Sequence, residues 1–321
     1  MVSKFKLCVV VVTYNSQHTI RACLAALISQ ISSEDAIFVY DNGSSDDTPS
    51  ILRDYESKIS LELSRSNLGF SYACNWCVQK AADFTHVAFV NPDTVVGVDL
   101  ISRAKETLAD GLVSLVGFSC TDINGLADRN FRRYPSILSS MLTIIDSAIF
   151  RFNVERRETF DLNTHYLDGS CMFLDRGVFV SAHQFQNLFL YGEDVILCDS
   201  LKREGITAIY HSDLSYLHLR GASSSSVQGE RSWSMLPNIV YAEFFYLRNR
   251  SFLFRGVYLF CKFFEIASLI IISMLFLGKD KIKRHFFRKK FLLVIKFSWS
   301  FFVKGKKFNH PEFHIISKES Q

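Results

Sequence analysis

This sequence of 321 residues has a single C-x-x-C motif, no visible internal repeat, and only a short first apolar run, which does not predict a signal peptide. Cys74 and Cys77 form a single C-x-x-C motif without a second pair or a nearby histidine, which argues against a zinc ribbon or a redox centre. We expect the eight cysteines to be small buried packing residues in a protein of a reducing compartment. The first apolar run, Leu7 to Val12, is too short for the hydrophobic part of a signal peptide. These absences predict a domain that works in the cytosol.

Acidic residues are scarce towards the C-terminal end. Residues 248–307 contain 15 Lys and Arg but only 2 Asp and Glu, whereas the remainder of the chain carries 21 basic and 30 acidic residues. A basic, aromatic segment of this kind predicts an anionic partner, either a lipid surface or a nucleic acid. The basic residues alternate with long apolar runs and no nucleic-acid recognition motif is present. We therefore expect an anionic membrane surface and no nucleic acid.

No uninterrupted apolar run reaches the length that a membrane-spanning helix needs. Residues 252–277 are strongly apolar, but their longest unbroken run, Ile266 to Leu277, has 12 residues, whereas a span needs about 20. The interruptions are Arg255, Lys262 and Glu265. The alternation of aromatic and basic residues favours helices that lie in a membrane interface. A single span from Leu259 to Leu277 and a globular helical subdomain are the alternatives.

Short apolar runs alternate with helical patterns from Leu7 onward, which predicts an α/β domain with a doubly wound, mostly parallel, Rossmann-like sheet. The predicted strands are 7–12, 36–40, 59–63, 86–90, 113–118 and 206–210, and the predicted helices are 20–31, 49–55, 70–82, 98–108 and 195–204. We expect residues 1–226 to form this domain and residues 227–321 to form a basic, aromatic-rich helical tail.

Four further segments complete the secondary-structure prediction. Residues 122–133 are polar and predict a loop, and residues 136–152 have a helical apolar pattern. Leu214 to Leu219 is a mostly apolar run that carries His218. The serine run from Ser223 to Ser226 is predicted to be mobile.

Polar residues follow three of the predicted strands, in the segments 13–16, 41–48 and 91–93. Because the carboxyl ends of parallel strands meet at one edge of a sheet, these segments should lie close together. Asp93 then stands where a carboxylate can hold a hard cation and, through it, a nucleoside diphosphate. The alternative is that Asn91-Pro92-Asp93 only forms a turn.

Several of these segments occur together in one order along the chain. They are Val12-Thr13-Tyr14-Asn15, Asp41 to Thr48, Asn67-Leu68-Gly69-Phe70 with Asn75, Asn91-Pro92-Asp93, Gly169 to Met172, Tyr191-Gly192-Glu193-Asp194, His218 and Ser223. This order resembles glycosyltransferase family 2, which has the GT-A fold, and is most similar to its bacterial rhamnosyltransferase-like members. The resemblance extends from Leu7 to Ser223, and the segment from Asp41 to Thr48 is its most specific part.

The resemblance implies a nucleotide-sugar site. Thr13 and Tyr14 would line the nucleotide base and Asp41 would contact the base edge. The remaining residues implied for this site are Asn15, Asn67, Gly69, Asn75, Asn91 and Asp93. Helix-entry roles for Asn67 and Gly69, and an ordinary helix position for Asn75, are the structural alternatives.

The resemblance also implies a metal, a base and an acceptor site. Asp93 would bind Mg²⁺ or Mn²⁺, with His218 as a second ligand unless it is a satisfied core or turn histidine. Asp194 would be the general base that deprotonates the acceptor hydroxyl, and Glu193 is the competing candidate. Asp168, Gly169 and Ser170 would contact the acceptor or form a structural turn.

The implied function is an inverting, metal-dependent transfer of a sugar, with rhamnose as one candidate, from a nucleotide-diphosphate donor. The acceptor would be lipid-linked or a polysaccharide, in O-antigen or capsule synthesis. The protein would be peripheral or monotopic at the cytoplasmic face of the inner (plasma) membrane. A catalytically inactive nucleotide-sugar-binding or scaffold protein on the same fold is the alternative.

The chain departs from the family pattern at several positions. Asn-Pro-Asp replaces the usual Asp-x-Asp, and Ala182 to Gln186 replaces the usual Gly-Gly-Phe-Asp. Ile196 and Ser200 stand where an Asp and an Arg are common. The first departure removes one metal-side carboxylate and leaves Asp93 as the main protein ligand. The others affect acceptor recognition and the choice of rhamnose, and they leave the expected metal and base in place.

Overall fold

A computed structural model describes residues 5–128, 130–140, 159–186, 188–219, 228–276 and 281–305. The chain forms two compact units. The first takes its described residues from 1–132 and 160–225, and the second takes them from 133–159 and 226–311. Residues 133–140 thus group with the C-terminal helices, which the sequence-based division at residue 226 did not anticipate.

The first unit is an α/β domain whose elements largely follow the predicted alternation. Its strands are β1 Leu7–Thr13, β2 Ala36–Asp41, β3 Ser60–Leu63, β4 His86–Val90, β5 Thr94–Val95, β6 Leu115–Thr121, β7 Ala127–Asp128, β8 Phe131–Arg133, β9 His165–Leu167, β10 Cys171–Asp175 and β11 Ala208–His218. Its helices are α1 Ile20–Ile28, α2 Thr48–Arg53, α3 Phe70–Lys80, α4 Leu100–Leu108, α5 Arg176–Ser181 and α6 Glu193–Arg203.

The main sheet has the strand order β3-β2-β1-β4-β10-β6-β11-β5, with β7 paired to β6. The pairs β1–β2, β1–β4, β2–β3 and β6–β11 are parallel. Strand β10 is antiparallel to both of its neighbours, β4 and β6. The mostly parallel sheet predicted from the sequence is therefore confirmed, with one reversed strand at its centre.

Strand β1 is the centre of the core because every one of its seven residues is buried. A run of consecutive buried residues is typical of a strand covered by helices on both faces. Helix α1 packs its buried side chains, among them Leu24 and Leu27, into the same core cluster. The eight cysteines are unpaired thiols, and seven of them are buried, which confirms the packing role predicted for those seven.

Three local predictions were wrong or incomplete. Residues 122–133, predicted as a loop, contain β7 and β8, and β8 pairs with β9. The strand predicted over residues 206–210 is incomplete, because β11 continues to His218 with an irregularity between His211 and Ser215. Helix α5 has no counterpart in the prediction. The predicted helix 136–152 lies mostly outside the described residues, and the serine run 223–226 lies wholly outside them.

The second unit contains the helices α7 Gln228–Leu247, α8 Phe252–Phe276 and α9 Lys281–Lys304. Helix α9 packs against both α7 and α8. Among the described residues, no helix combines the length and the hydropathy needed to cross a bilayer.

The charged residues that interrupt the apolar run of α8 are buried within this unit. Lys262 Nζ lies 2.7 Å from Glu243 Oε1 and 2.9 Å from Glu265 Oε2, and Lys290 Nζ lies 3.9 Å from Glu265 Oε1. Burial alone would lower the pKa of Lys262, but the two carboxylates more than offset this and raise it. Lys262 and Glu265 thus belong to an internal ion network that joins the three helices.

Candidate active site

The carboxyl ends of β1 and β2 lie side by side, with Thr13 in register with Asp41. Asp41 is buried, and its carboxylate accepts hydrogen bonds from Thr13 Oγ1 at 2.8 Å and from the Ser44 amide at 2.9 Å. Asp41 therefore fixes the loop after β2 at the rim of the sheet.

The loops after β1 and β2 are joined by a second set of hydrogen bonds. The Asn15 amide donates to Ser44 Oγ at 2.8 Å, and the Ser45 amide donates to Asn15 Oδ1 at 2.8 Å. Asn15 has φ 50°, a left-handed conformation that asparagine tolerates better than most residues. Tyr14, which precedes Asn15, is 50% exposed, so its ring is available to a ligand at this rim.

Asn42 is a residue that the sequence analysis did not single out, although it directly follows Asp41. Its Nδ2 donates to the Gly69 carbonyl at 3.2 Å, and its Oδ1 accepts from the Leu68 amide at 3.1 Å. Asn67 closes the same turn, since its Oδ1 accepts from the Gly69 amide at 3.0 Å. Asn42 thereby holds the predicted Asn67–Gly69 turn beside the loop after β2.

Asn75 is placed differently from the other predicted donor residues. It lies on α3, where its Nδ2 donates to the Phe185 carbonyl at 2.9 Å and its Oδ1 accepts from the Phe185 amide at 3.2 Å. These bonds reach the loop after α5 rather than another predicted donor residue. In this arrangement Asn75 links α3 to that loop.

Asp93 and His218 meet beyond the carboxyl end of β4. Pairing of the short strand β5 with β11 places His218 opposite Thr94, and the Leu219 amide donates to the Asp93 carbonyl at 2.8 Å. As a result, His218 Nε2 lies 3.2 Å from Asp93 Oδ1, and both side chains are almost buried. Two predicted metal ligands that are 125 positions apart in sequence are thus neighbours in the fold.

The Asp93–His218 pair fits a divalent cation. Ligands on adjacent corners of an octahedral shell, each about 2.1 Å from the ion, lie about 3 Å apart, which is close to the observed spacing. The described part of the chain contains no group of three or more His, Cys, Asp or Glu side chains arranged to hold a metal. With one carboxylate and one imidazole the protein would supply two ligands, and phosphate and water oxygens would supply the others.

Asp194 lies at the start of α6, against the turn formed by residues 168–170. Its Oδ1 accepts from the Val195 amide at 2.7 Å, and its Oδ2 accepts from the Gly169 amide at 3.4 Å. Asp168 closes the turn by accepting from the Ser170 amide at 3.2 Å. The predicted base therefore touches the predicted acceptor segment.

The same turn also contacts the predicted metal loop. The Ser170 carbonyl accepts from the Asn91 amide at 3.0 Å, and from Thr94 Oγ1 at 3.3 Å. Ser170 Oγ is 2.7 Å from the hydroxyl of Tyr216, a buried residue of β11 that no sequence pattern marked. Residues 168–170 thus connect the segment around Asp93 to Asp194.

Burial and mutual repulsion oppose the ionisation of the two carboxyl groups at the start of α6. Burial, together with the charge of Asp168, raises the pKa of Asp194 to about 7. Burial and the charge of Asp194 raise the pKa of Glu193 well above its ordinary value. Glu193 Oε2 is buried and has no hydrogen-bond partner among the described residues, which is compatible with a protonated carboxyl.

The comparison with protein families places this arrangement in context. A family model described as "Glycosyl transferase family 2" matches residues 8–181, more than half of the chain. The chain belongs to glycosyltransferase family 2. The resemblance recognised in the sequence is therefore confirmed.

Relatives of known activity and solved structures agree with membership of family 2. The chain is 24% identical over 235 residues to N-acetylglucosaminyl-diphospho-decaprenol L-rhamnosyltransferase of Mycobacterium tuberculosis, covering 67% of this chain and 76% of that protein. The mannosyltransferase PcManGT of Pyrobaculum calidifontis, solved with GDP-Man and Mn²⁺, superimposes with a TM-score of 0.56 at 14% identity, over 91% of this chain and 86% of that one. TarS 1–349 of S. aureus with UDP-GlcNAc gives 0.50 at 17%, over 94% and 93%. These similarities confirm the GT-A fold.

The family 2 match and the site overlap only in part. The matched residues include Thr13, Asp41, Asp93 and the 168–170 turn, but end before Asp194. His218 also lies beyond the match. The contacts described above bring both residues to the rim that carries the matched family 2 segments.

Proposed function

We propose that this family 2 glycosyltransferase transfers a sugar from a nucleoside-diphosphate donor to an acceptor hydroxyl with inversion at the anomeric carbon. The observation that carries the proposal is the 168–170 turn, which contacts Asp194 through Gly169 and the Asn91–Asp93 loop through Ser170. A base and a site for a leaving diphosphate are thus held by one short segment. An attacking hydroxyl between them would have a base on one side and a leaving group on the other.

The nucleotide would bind where the loops after β1 and β2 meet. Asp41 is held there by Thr13 and Ser44, and Tyr14 offers an exposed ring. Asn15, Asn67 and Gly69 shape the same rim through the hydrogen bonds described above. Asn75 would contribute by fixing the loop at Phe185.

Asp93 and His218 would hold Mg²⁺ or Mn²⁺ through Oδ1 and Nε2. Such an ion neutralises negative charge that develops on the departing nucleoside diphosphate. The donor set supports this assignment, since one carboxylate and a few protein ligands suffice when phosphate oxygens complete the shell. The Mn²⁺ complex of PcManGT supports a divalent ion in this fold.

Asp194 is the general base in this proposal. Its raised pKa lets the carboxylate take a proton near neutral pH, as a base of the usual aspartate pKa does poorly. Glu193 is more deeply buried, and burial with the charge of Asp194 raises its pKa further, so it is largely protonated at the same pH and less available as a base. Asp168 and the 168–170 turn would face the acceptor.

The acceptor is proposed to be a lipid-linked glycan precursor of a cell-surface polysaccharide such as an O-antigen or capsule. The name of the M. tuberculosis relative supports a polyprenyl-diphosphate-linked acceptor and rhamnose as the first donor sugar to test. A lipid-linked acceptor would place the enzyme at the cytoplasmic face of the inner membrane, peripheral or monotopic.

A donor panel tests this proposal. The purified full chain is incubated with individual nucleotide-sugars, with Mn²⁺, Mg²⁺ or a chelator, and with a polyprenyl-diphosphate sugar, and nucleoside diphosphate release is measured. We expect metal-dependent release with one donor. Asp194→Asn should lower kcat by at least about a hundredfold, the lower range for loss of a general base, while donor affinity is kept.

Asp54→Asn serves as the matched control, because Asp54 is exposed and pairs with Arg21 away from the site. Its turnover should equal that of the wild type. Donor binding without turnover across the panel, unchanged by Asp194→Asn, would instead identify a catalytically inactive nucleotide-sugar-binding protein.

A further inference from the structure

The polarity of helix α8 is the reverse of that expected for a helix in water. Within residues 252–271, every exposed side chain is apolar, while all three charged residues are buried. The buried charged residues are Arg255, Lys262 and Glu265, and the exposed apolar residues are Phe252, Leu253, Val257, Phe260, Phe264 and Ile271. Phe260 is 74% exposed, whereas Lys262, two residues later, is 5% exposed.

The inward charges are satisfied inside the unit and do not need water. Lys262 contacts Glu243 and Glu265, and Arg255 donates through Nη2 to the Phe302 carbonyl at 3.0 Å. For a protein surrounded by water, the free energy of folding favours burial of phenylalanine and exposure of lysine. Helices whose outer medium is apolar show the opposite, with charged groups paired in the interior.

Five of the six exposed apolar residues of α8 lie along one narrow side of the helix. At 100° per residue, Leu253, Val257, Phe260, Phe264 and Ile271 fall within about 60° of one another around the helix axis. We refer to these five residues as the α8 stripe.

Helix α9 has a similar line of exposed apolar residues, accompanied by basic ones. Its exposed apolar residues are Leu292, Ile295, Trp299 and Val303, which we refer to as the α9 stripe. The other exposed residues of α9 within 288–304 are Arg288, Lys296 and Lys304, all of them basic. Val294, Phe297 and Phe301 are buried on the opposite side. An apolar stripe with basic neighbours is the pattern of a helix that lies in a membrane interface.

We propose that the α8 and α9 stripes insert into one leaflet of an anionic phospholipid bilayer and hold the protein there as a monotopic membrane protein. Residues 248–307 contain 15 basic and 2 acidic residues, which complements anionic lipid. The same charge opposes a second copy of the chain as the occupant, because two α9 stripes in contact would bring Arg288, Lys296 and Lys304 of both copies together.

This inference rests on the proposed function in one respect, since a lipid-linked acceptor gives the insertion a purpose. Its physical basis lies in the second unit alone. Vesicle binding and sugar transfer are therefore measured separately. If the protein does not bind vesicles, the result of the donor panel is unaffected. If it does not transfer a sugar, the result of the vesicle experiment is unaffected.

The test is flotation of the purified full chain with vesicles of phosphatidylcholine alone or of an equal mixture with phosphatidylglycerol. We expect binding to the anionic vesicles, weaker binding to the neutral ones, and weakening by high salt. Phe260→Gln with Phe264→Gln, and separately Trp299→Gln, should each weaken partitioning by about tenfold or more, because each removes a large aromatic side chain from the acyl region. These residues are exposed, so the circular dichroism spectrum should be unchanged.

Leu112→Gln with Ile123→Gln is the matched control. Both residues are about three quarters exposed, as Phe260 is, but lie on the first unit. This variant should float like the wild type. Equal flotation of the wild type and the Phe260/Phe264 variant would overturn the proposal. So would a wild type that ignores vesicles and self-associates in sedimentation, with the association lost in that variant.

Depth of insertion gives an independent reading. In a Trp76→Phe/Trp233→Phe variant, Trp299 is the remaining tryptophan. Its fluorescence should shift to shorter wavelength on anionic vesicles and be quenched by brominated acyl chains. Fluorescence that is unchanged by either would place Trp299 in water and contradict the inserted α9 stripe.

Discussion

At the scale of single residues, Asp194 is a carboxylate in surroundings that oppose its ionisation. Burial is the main cause, and the neighbouring charge of Asp168 adds to it, whereas the amides of Val195 and Gly169 act in the opposite direction. The balance moves its pKa to about 7. A base with this pKa is half ionised at neutral pH and is matched to proton abstraction there.

The pH profile of transfer follows from this environment. In the proposed mechanism the ionised form of Asp194 is the active one, so kcat/KM should rise about tenfold per pH unit below an inflection at about 7 and level off above it. Asp168→Asn should move the inflection to lower pH, because it removes one cause of the raised pKa. A profile with the same inflection in both proteins would assign the inflection to another group.

The free energy of unfolding should also depend on pH, because of the same raised pKa values. Both Glu193 and Asp194 have pKa values that are raised in the folded state, so the folded protein binds more protons than the unfolded one between the ordinary and the raised values. The free energy of unfolding should therefore decrease as pH rises through this window. Urea unfolding at a series of pH values measures it, and the decrease should be smaller in the Asp194→Asn variant.

At the scale of elements, the entry into α3 depends on a close approach of two backbones. Gly69 has φ +93°, and a Cβ atom added to it would lie 2.6 Å from the Phe189 carbonyl oxygen. The Phe70 amide donates to that same carbonyl at 2.9 Å. Only glycine accommodates both the conformation and the contact.

Gly69→Ala should therefore be destabilising by about 1–3 kcal/mol and should also weaken donor binding, because the Asn67–Gly69 turn shifts. Gly125→Ala separates the effect of the positive φ from the effect of the close contact with Phe189. Gly125 has a similar φ of +73° but nothing within 4 Å of the added Cβ atom. Urea unfolding should show the larger loss for Gly69→Ala. Equal losses would mean that the Phe189 contact imposes no constraint.

The elements show what sequence patterns reveal and what they leave out. The strands that end at Thr13, Asp41 and Val90 were predictable, because continuous β-branched and apolar runs followed by turn residues are local signals. The pairing of β5 with β11 was not predictable, since two residues give no periodicity, yet it brings His218 to Asp93. Asn42 and Tyr216 act through partners distant in sequence, so no local pattern marked them.

At the scale of the whole molecule, the chain contains two units with different kinds of interior. The first has an apolar core around β1. The second contains Lys262, Glu243 and Glu265 in its interior, which the sequence showed only as interruptions of an apolar run. Spacing along α8 alone could not predict their inward direction, because their partners Glu243 and Lys290 lie on other helices.

Lys262→Met tests this interior. The substitution keeps the side-chain length but leaves two carboxylates buried without their main cation, so unfolding free energy should fall by about 3–5 kcal/mol. Adding Glu243→Gln should restore part of the loss, since Glu265, the carboxylate that remains, keeps Lys290 as a cationic partner. Thermal melting followed by circular dichroism measures both, and Lys304→Met, at an exposed position, should be near neutral.

The reversed direction of β10 decides where variation in the chain reaches the substrate. In β1, β2 and β4 the residues after the strand lie at the working rim, but in β10 the residues before it do, because it enters the sheet from that side. Under the proposed function, insertions or exchanges upstream of Cys171 would therefore change acceptor preference without altering the loops after β1 and β2. If related chains use different acceptors, we expect them to differ in the length of the segment that precedes β10.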